Sequence, residues 1–146
     1  MNITEALIGV RLLFLDTAPV IYHVEGNPTY QPRTDIVFQE IRAGSVEAVT
    51  SPITLAECLV HSYQRGDLAL VQQFRNVITA GVHTRYVGVD DVAESAAELR
   101  RYHLSLTDAF QVAAALAAGC DALLTNDTAF KRITELRVLT LDELEL

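Results

Sequence analysis

Short apolar runs alternate along the chain with longer stretches in which apolar residues recur every three or four positions. A strand buried on both faces reads as a continuous apolar run, and a helix buried on one face reads with a 3.6-residue period. The runs Leu12–Leu15, Val46–Thr50, Tyr86–Val89, Ala122–Thr125 and Val138–Leu141 are therefore candidate strands. Helices are predicted at about 18–24, 29–43, 52–65, 67–80, 91–102, 106–118 and 128–134. Strands alternating with helices predict an α/β sandwich, with a central, mainly parallel sheet of about five strands flanked by helices. Local signals agree with this reading. Ser51-Pro52 is an N-cap followed by proline at the first helical position, and Gly119 closes the Ala-rich helix. The helix starting at 91 sets Val92, Ala93, Ala96, Ala97 and Leu99 against the charges of Glu94, Glu98, Arg100 and Arg101, an amphipathic face for a sheet.

Residues 1–146 fit one domain, with no repeat or Ser/Gly-rich linker to divide them. The apolar residues lack the order of a signal peptide and never approach the run of about 20 that spans a membrane, so a cytoplasmic protein is expected. The formal net charge is −8, and Lys131 is the one lysine. That excludes a protein that coats nucleic acid with a broad basic face, but not an enzyme that meets a few phosphates through a local arginine patch or a bound cation. Cys58 and Cys120 match no zinc spacing or disulfide framework and read as buried free thiols of a reducing compartment.

Four carboxylates carry the chemistry. Asp16 follows the run Leu12–Leu15, and Asp127 follows Ala122–Thr125 by one residue. Glu57 lies about two turns into the helix after Val46–Thr50, and Asp108 in the first turn of the Ala-rich helix. In open parallel sheets the carboxyl edge of the strands is where ligands bind, and all four acids fall at that edge. Singly, each has a plainer explanation. Thr54-Leu-Ala-Glu57 and Ser105-Leu-Thr-Asp108 match a capping pattern, and Asp16 and Asp127 could cap the helices they precede. As a set they would repel one another unless some stayed protonated or a cation joined them. His23, His61, His83 and His103 show no zinc spacing, so an oxygen-liganded Mg²⁺ or Mn²⁺ is the ion expected.

At these residues the sequence resembles the PIN-domain nucleases, most closely the VapC-type toxins of toxin–antitoxin pairs. The matching segments are Phe14-Leu-Asp-Thr-Ala-Pro-Val-Ile-Tyr-His23, Ser51-Pro-Ile-Thr-Leu-Ala-Glu57, Leu104-Ser-Leu-Thr-Asp108-Ala-Phe-Gln-Val-Ala-Ala-Ala115 and Ala122-Leu-Leu-Thr-Asn-Asp127-Thr-Ala-Phe130. Four segments in this order across almost the whole chain form a fairly specific signal. The resemblance implies a metal-dependent endoribonuclease with Asp16, Glu57, Asp108 and Asp127 in an acidic pocket. It implies that Thr17, Thr125 and Asn126 orient those acids or the substrate. It also implies a VapB-like antitoxin and a homodimer. The sequence departs from the family at Ala18-Pro19, where Asn often follows the Asp-Thr pair, and at Met1–Arg11, which reads as an added strand or a matter of the start site.

The expected reaction is hydrolysis of an RNA phosphodiester, with Arg11, Arg100, Arg101, Lys131 and Arg132 as candidate phosphate contacts and surface pairing as the favoured alternative for each. Tyr22, His23 and Tyr63 are candidates for an interface or the rim of the site. Two other readings stand beside this one, a PIN-fold module that binds protein without catalysis and a free-standing RNA-processing nuclease without an antitoxin. A phospho-acceptor domain is disfavoured because the early acid is single and Lys131 falls in a predicted helix. A dehalogenase-type phosphatase is disfavoured because Ala18 stands where a second aspartate is needed.

Overall fold

The computed structural model describes residues 1–146. Five strands, β1 (Leu12–Leu15), β2 (Glu47–Thr50), β3 (Thr84–Tyr86), β4 (Ala122–Thr125) and β5 (Arg137–Thr140), form one sheet in the order β3-β2-β1-β4-β5. Every pairing is parallel. Seven α-helices connect and cover it: α1 (Ile3–Ala6), α2 (Thr17–Glu25), α3 (Gln31–Ala43), α4 (Pro52–Gln64), α5 (Leu68–Ala80), α6 (Ala93–Leu99) and α7 (Leu106–Ala117). This is the α/β sandwich expected from the pattern. No helix is long and apolar enough to cross a membrane.

Successive side chains of a strand point to opposite faces, and here each face meets its own core. Leu13, Leu15, Ala48, Ala122 and Leu124 pack beneath α1–α5, whereas Phe14, Val49 and Leu123 pack beneath α6 and α7. Both faces are covered, which is why the strands read as unbroken apolar runs. Phe14 is fully buried at the centre of the second core. Its replacement by alanine would cost about 3–5 kcal/mol of unfolding free energy.

The order of the strands positions everything that follows. From β1 the chain builds outward through β2 to β3, then crosses back by α6 and α7 to place β4 and β5 on the other side. The strand order therefore reverses at β1 and β4, and the crevice outside their carboxyl ends is the switch point where open α/β sheets bind ligands.

The departures from expectation have local causes. β3 covers Thr84–Tyr86 rather than Tyr86–Val89. It is an edge strand with exposed Arg85 and Tyr86, so its pairing leaves no apolar run, while Val87 and Val89 leave the sheet and pack half-buried against the second core. The expected helix 91–102 is divided into α6 and a 3₁₀ turn, Arg100–Tyr102, which His103 ends in the left-handed region at φ 60°. The expected helix 128–134 is a 3₁₀ turn, Thr128–Arg132. Met1–Arg11 contributes no strand. It forms α1, opened by a reciprocal capping box between Asn2 and Glu5 and tied to the far end of the chain by a single parallel bridge, Asn2 to Glu145.

Candidate active site

Asp16 is the residue at which β1 ends and α2 begins, and it is 7% exposed. It occupies the N-cap position of α2 without making a side-chain capping bond. Its carboxylate instead accepts a hydrogen bond from the Thr125 hydroxyl at the end of β4, 2.7 Å away. Thr125 in turn accepts from the backbone N–H of Asp127 at 3.0 Å. One buried hydroxyl thus ties the two acids of the switch point to each other.

Glu57 is half-buried on α4, and the Thr17 hydroxyl donates to its Oε1 at 2.6 Å. The capping alternative does not apply to it, because Ser51 and not Thr54 caps α4. Asp108 is half-buried in the first turn of α7, where its backbone N–H donates to the Ser105 hydroxyl at 3.2 Å. Asp127 is exposed and does cap, accepting from the Ala129 N–H at 2.9 Å to open the 3₁₀ turn. Asn126 accepts from the Asp142 N–H at 2.9 Å and donates to the Tyr22 hydroxyl at 3.2 Å. Its side chain braces the loop after β5 against α2.

Electrostatics joins the acids. Burial pushes the Asp16 carboxyl up to about 6, opposed by the hydrogen bonds from Thr125 and Thr17, and the charges of Asp108 and Glu57 raise it further. Burial also raises Asp108, with Asp127 and Glu57 adding to the shift against the Ser105 hydrogen bond. The charges of Glu57 and Asp108 thus act on Asp16, and those of Glu57 and Asp127 act on Asp108. No three acid, histidine or cysteine side chains stand close enough together to hold a metal ion as they are, as like charges held apart would dictate. The donors are all oxygen, which suits a hard divalent cation that keeps several waters and takes one or two carboxylates. The four acids line none of the surface clefts, which include one at the opposite edge of the sheet formed by Thr4, Ile8, Arg11 and Val46 among others. The four acids form an acidic shelf at the carboxyl edge of the sheet, with Asp16 buried, Glu57 and Asp108 half-buried and Asp127 exposed.

Arg101 pairs with Glu135, Lys131 with Glu143, and Arg132 donates to the carbonyls of Tyr102 and His103. Arg100 is exposed after α6, and Arg11 precedes β1 at the amino edge, away from the acids. Tyr22 stacks on Tyr30 with ring centroids 4.6 Å apart, His23 stacks on Phe38, and Tyr63 is exposed on α4. Cys58 and Cys120 are free, and burial pushes both thiols up, Cys120 to about 12.

Sequence reasoning missed a buried polar cluster beneath the shelf. Ser51, Thr54 and Gln111 are each 0% exposed. Ser51 Oγ donates to Gln111 Oε1 at 2.5 Å, Gln111 Nε2 donates to Thr54 Oγ1 at 2.7 Å, and Thr54 Oγ1 donates to the Leu15 carbonyl at 3.1 Å. A glutamine inside an alanine-rich helical face was the only sign of it in the sequence.

A family model described as the PIN domain matches residues 13–136. No curated protein matches the sequence. Several solved structures share the fold. One is VapBC2 from Rickettsia felis, bound to a DNA fragment from its promoter, at 18% identity over 88% of this chain and 98% of that one, with a TM-score of 0.66. Another is VapC20 from Mycobacterium tuberculosis, a toxin that cleaves the sarcin–ricin loop, at 18% identity over 86% and 98%, with a TM-score of 0.67. A third is FitAcB from Neisseria gonorrhoeae, at 18% identity over 90% and 99%, also with a TM-score of 0.67.

Proposed function

The chain belongs to the PIN domain family, and from that premise we propose that it is a divalent-metal-dependent endoribonuclease, the toxin of a VapBC-type pair. The observation that carries this reading is Asp16. A carboxylate buried at the switch point, raised to about 6 and coupled to two further acids, opposes folding at neutral pH. Such a group is expected where its charge is needed for chemistry.

In this reading Asp16, Asp108, Asp127 and Glu57 hold Mg²⁺ or Mn²⁺, directly or through water. A cation bound there supplies acidity to a water and offsets the charge that develops on the phosphate and the leaving oxygen. Thr125 and Thr17 fix the carboxylates of Asp16 and Glu57 so that little reorganisation accompanies the reaction. Asn126 holds the loop beside Asp127. The net charge of −8 is compatible with an anionic substrate because the cation stands between them.

The toxin assignment is supported by the likeness in fold, over nearly their whole length, to VapBC2 and FitAcB. A VapB-like antitoxin, a homodimer and a cytoplasmic setting belong to the same proposal. The test is cleavage of a mixed RNA pool, including transfer and ribosomal RNA, by antitoxin-free protein with Mg²⁺ or Mn²⁺, beside EDTA and Asp108→Asn controls. Cuts lost in both controls are expected. Cutting that survives EDTA or Asp108→Asn would sink the metal mechanism, and a folded protein that cuts nothing and binds no Mn²⁺ would favour a non-catalytic binding module.

A further inference from the structure

We propose that Gln111 is a positioning residue that sets the separation of the carboxylates on three different elements, and with it the affinity of the shelf for a divalent cation; this rests on the metal-dependent reading above. Gln111 accepts from Ser51 at the cap of α4 and donates to Thr54 in its first turn, and Thr54 passes the bond on to the Leu15 carbonyl. That carbonyl belongs to the peptide bond that leads into Asp16. Ser51 also accepts from the N–H groups of Ile53 and Thr54 at 3.2 and 3.4 Å. Each hydroxyl in the relay both gives and takes, so the amide has one satisfying orientation.

Each member lies one step from a carboxylate. Asp108 precedes Gln111 by three residues on α7, and Glu57 follows Thr54 by three on α4. Residues three apart share a helical face, so the buried amide and the two acids lie on the sides of α7 and α4 that meet. Asp16 is the residue after the Leu15 carbonyl. Gln111 thus joins α7 directly to the start of α4 and, through Thr54, to the end of β1, and these elements carry or lead into three of the four acids. The relay is fully buried, where loss of one partner leaves the others unsatisfied. A leucine at 111 would fill the volume and release the span.

The purely structural alternative predicts lost stability with an unaltered shelf. The discriminating experiment is calorimetric titration of the metal-free protein with Mn²⁺ alone, with RNA cleavage followed against Mn²⁺ concentration. Variants are Gln111→Leu, Thr54→Val, which keeps shape but removes the hydroxyl, and Thr54→Ser, which restores it. Thermal melts establish which variants fold. Gln111→Leu and Thr54→Val are expected to weaken Mn²⁺ binding by about 10- to 100-fold, the usual range for groups that orient metal ligands. Cleavage should need correspondingly more Mn²⁺, and Thr54→Ser should stay within a few-fold of the parent. Folded variants that lower the melting temperature but leave Mn²⁺ affinity within twofold of the parent would overturn the proposal. If Gln111→Leu does not fold, the Thr54→Val and Thr54→Ser pair decides. A parent that binds Mn²⁺ without cleaving RNA overturns the nuclease reading while leaving the affinity comparison intact, and a parent that binds no Mn²⁺ overturns both.

Discussion

Strand β1 has an aspartate at each end, and the two are in opposite situations. At its amino end Asp121 accepts from the backbone N–H groups of Arg11 and Leu12 at 2.8 and 2.9 Å, on the surface, and these bonds hold its carboxyl below the usual range. At its carboxyl end Asp16 is buried, receives one side-chain hydrogen bond from Thr125, and is pushed up to about 6. Asp121 closes the turn between α7 and β4 onto the neighbouring strand, so it serves the fold. Asp16 works against the fold at neutral pH. The contrast teaches that two aspartates beside one strand can serve opposite ends: exposed and held by two backbone N–H groups, Asp121 fastens the fold, whereas buried beside other acids, Asp16 is costly to ionise.

The largest expected effect is on activity. Asp16→Asn should lower Mn²⁺-dependent RNA cleavage by on the order of 10²-fold or more, whereas Asp121→Asn should leave it within about twofold, both read as single-turnover rates; equal losses would erase the distinction between the two ends. Stability should move in opposite directions. In urea unfolding of metal-free protein at pH 7.5, Asp16→Asn is expected to gain about 2–3 kcal/mol and Asp121→Ala to lose about 1 kcal/mol.

The pH dependence sharpens this. Between the ordinary carboxyl value of 3.8 and about 6 the folded chain keeps on Asp16 a proton that the unfolded chain has released. Stability from this group is therefore full below about 4 and lost as pH rises through 6, and Asp16→Asn should flatten that slope in melts across pH 4–7. Smaller effects follow at the supports. Thr125→Val removes a bond that favours the charged carboxylate and should weaken Mn²⁺ binding by about 10-fold in calorimetry. Asp127→Ala, which deletes a helix cap, should cost about 1 kcal/mol of stability, most of which Asp127→Asn should retain.

The parts legible in the sequence were those governed by local pattern. β1 and β4 stand where the apolar runs put them, because both are buried on two faces. β3 was misread because an edge strand of Thr84, Arg85 and Tyr86 needs no apolar run, and α1 because four residues carry too little periodicity. The positions of the acids at one edge follow from strand ends and helix starts, so they were legible too. The relay through Gln111 was not, since its partners Thr54 and Ser51 lie 57 and 60 residues away in sequence. Capping was a fair reading for Asp127 and half-true at Ser105 and Asp108, but geometry removed it for Asp16 and Glu57.

The bridge from Asn2 to Glu145 has a kinetic meaning. Its two backbone bonds, Ile3 N–H to Glu145 and Glu145 N–H to Met1, close a loop of nearly the whole chain. Loop-closure entropy makes such contacts late to form and early to open, whereas the pairing of β1 with β2 closes a far shorter loop. Amide protons at Ile3 and Glu145 should exchange with solvent through openings that leave the sheet and its acidic shelf intact. The seam between the first and last residues is then a latch on the assembled fold rather than part of what assembles it.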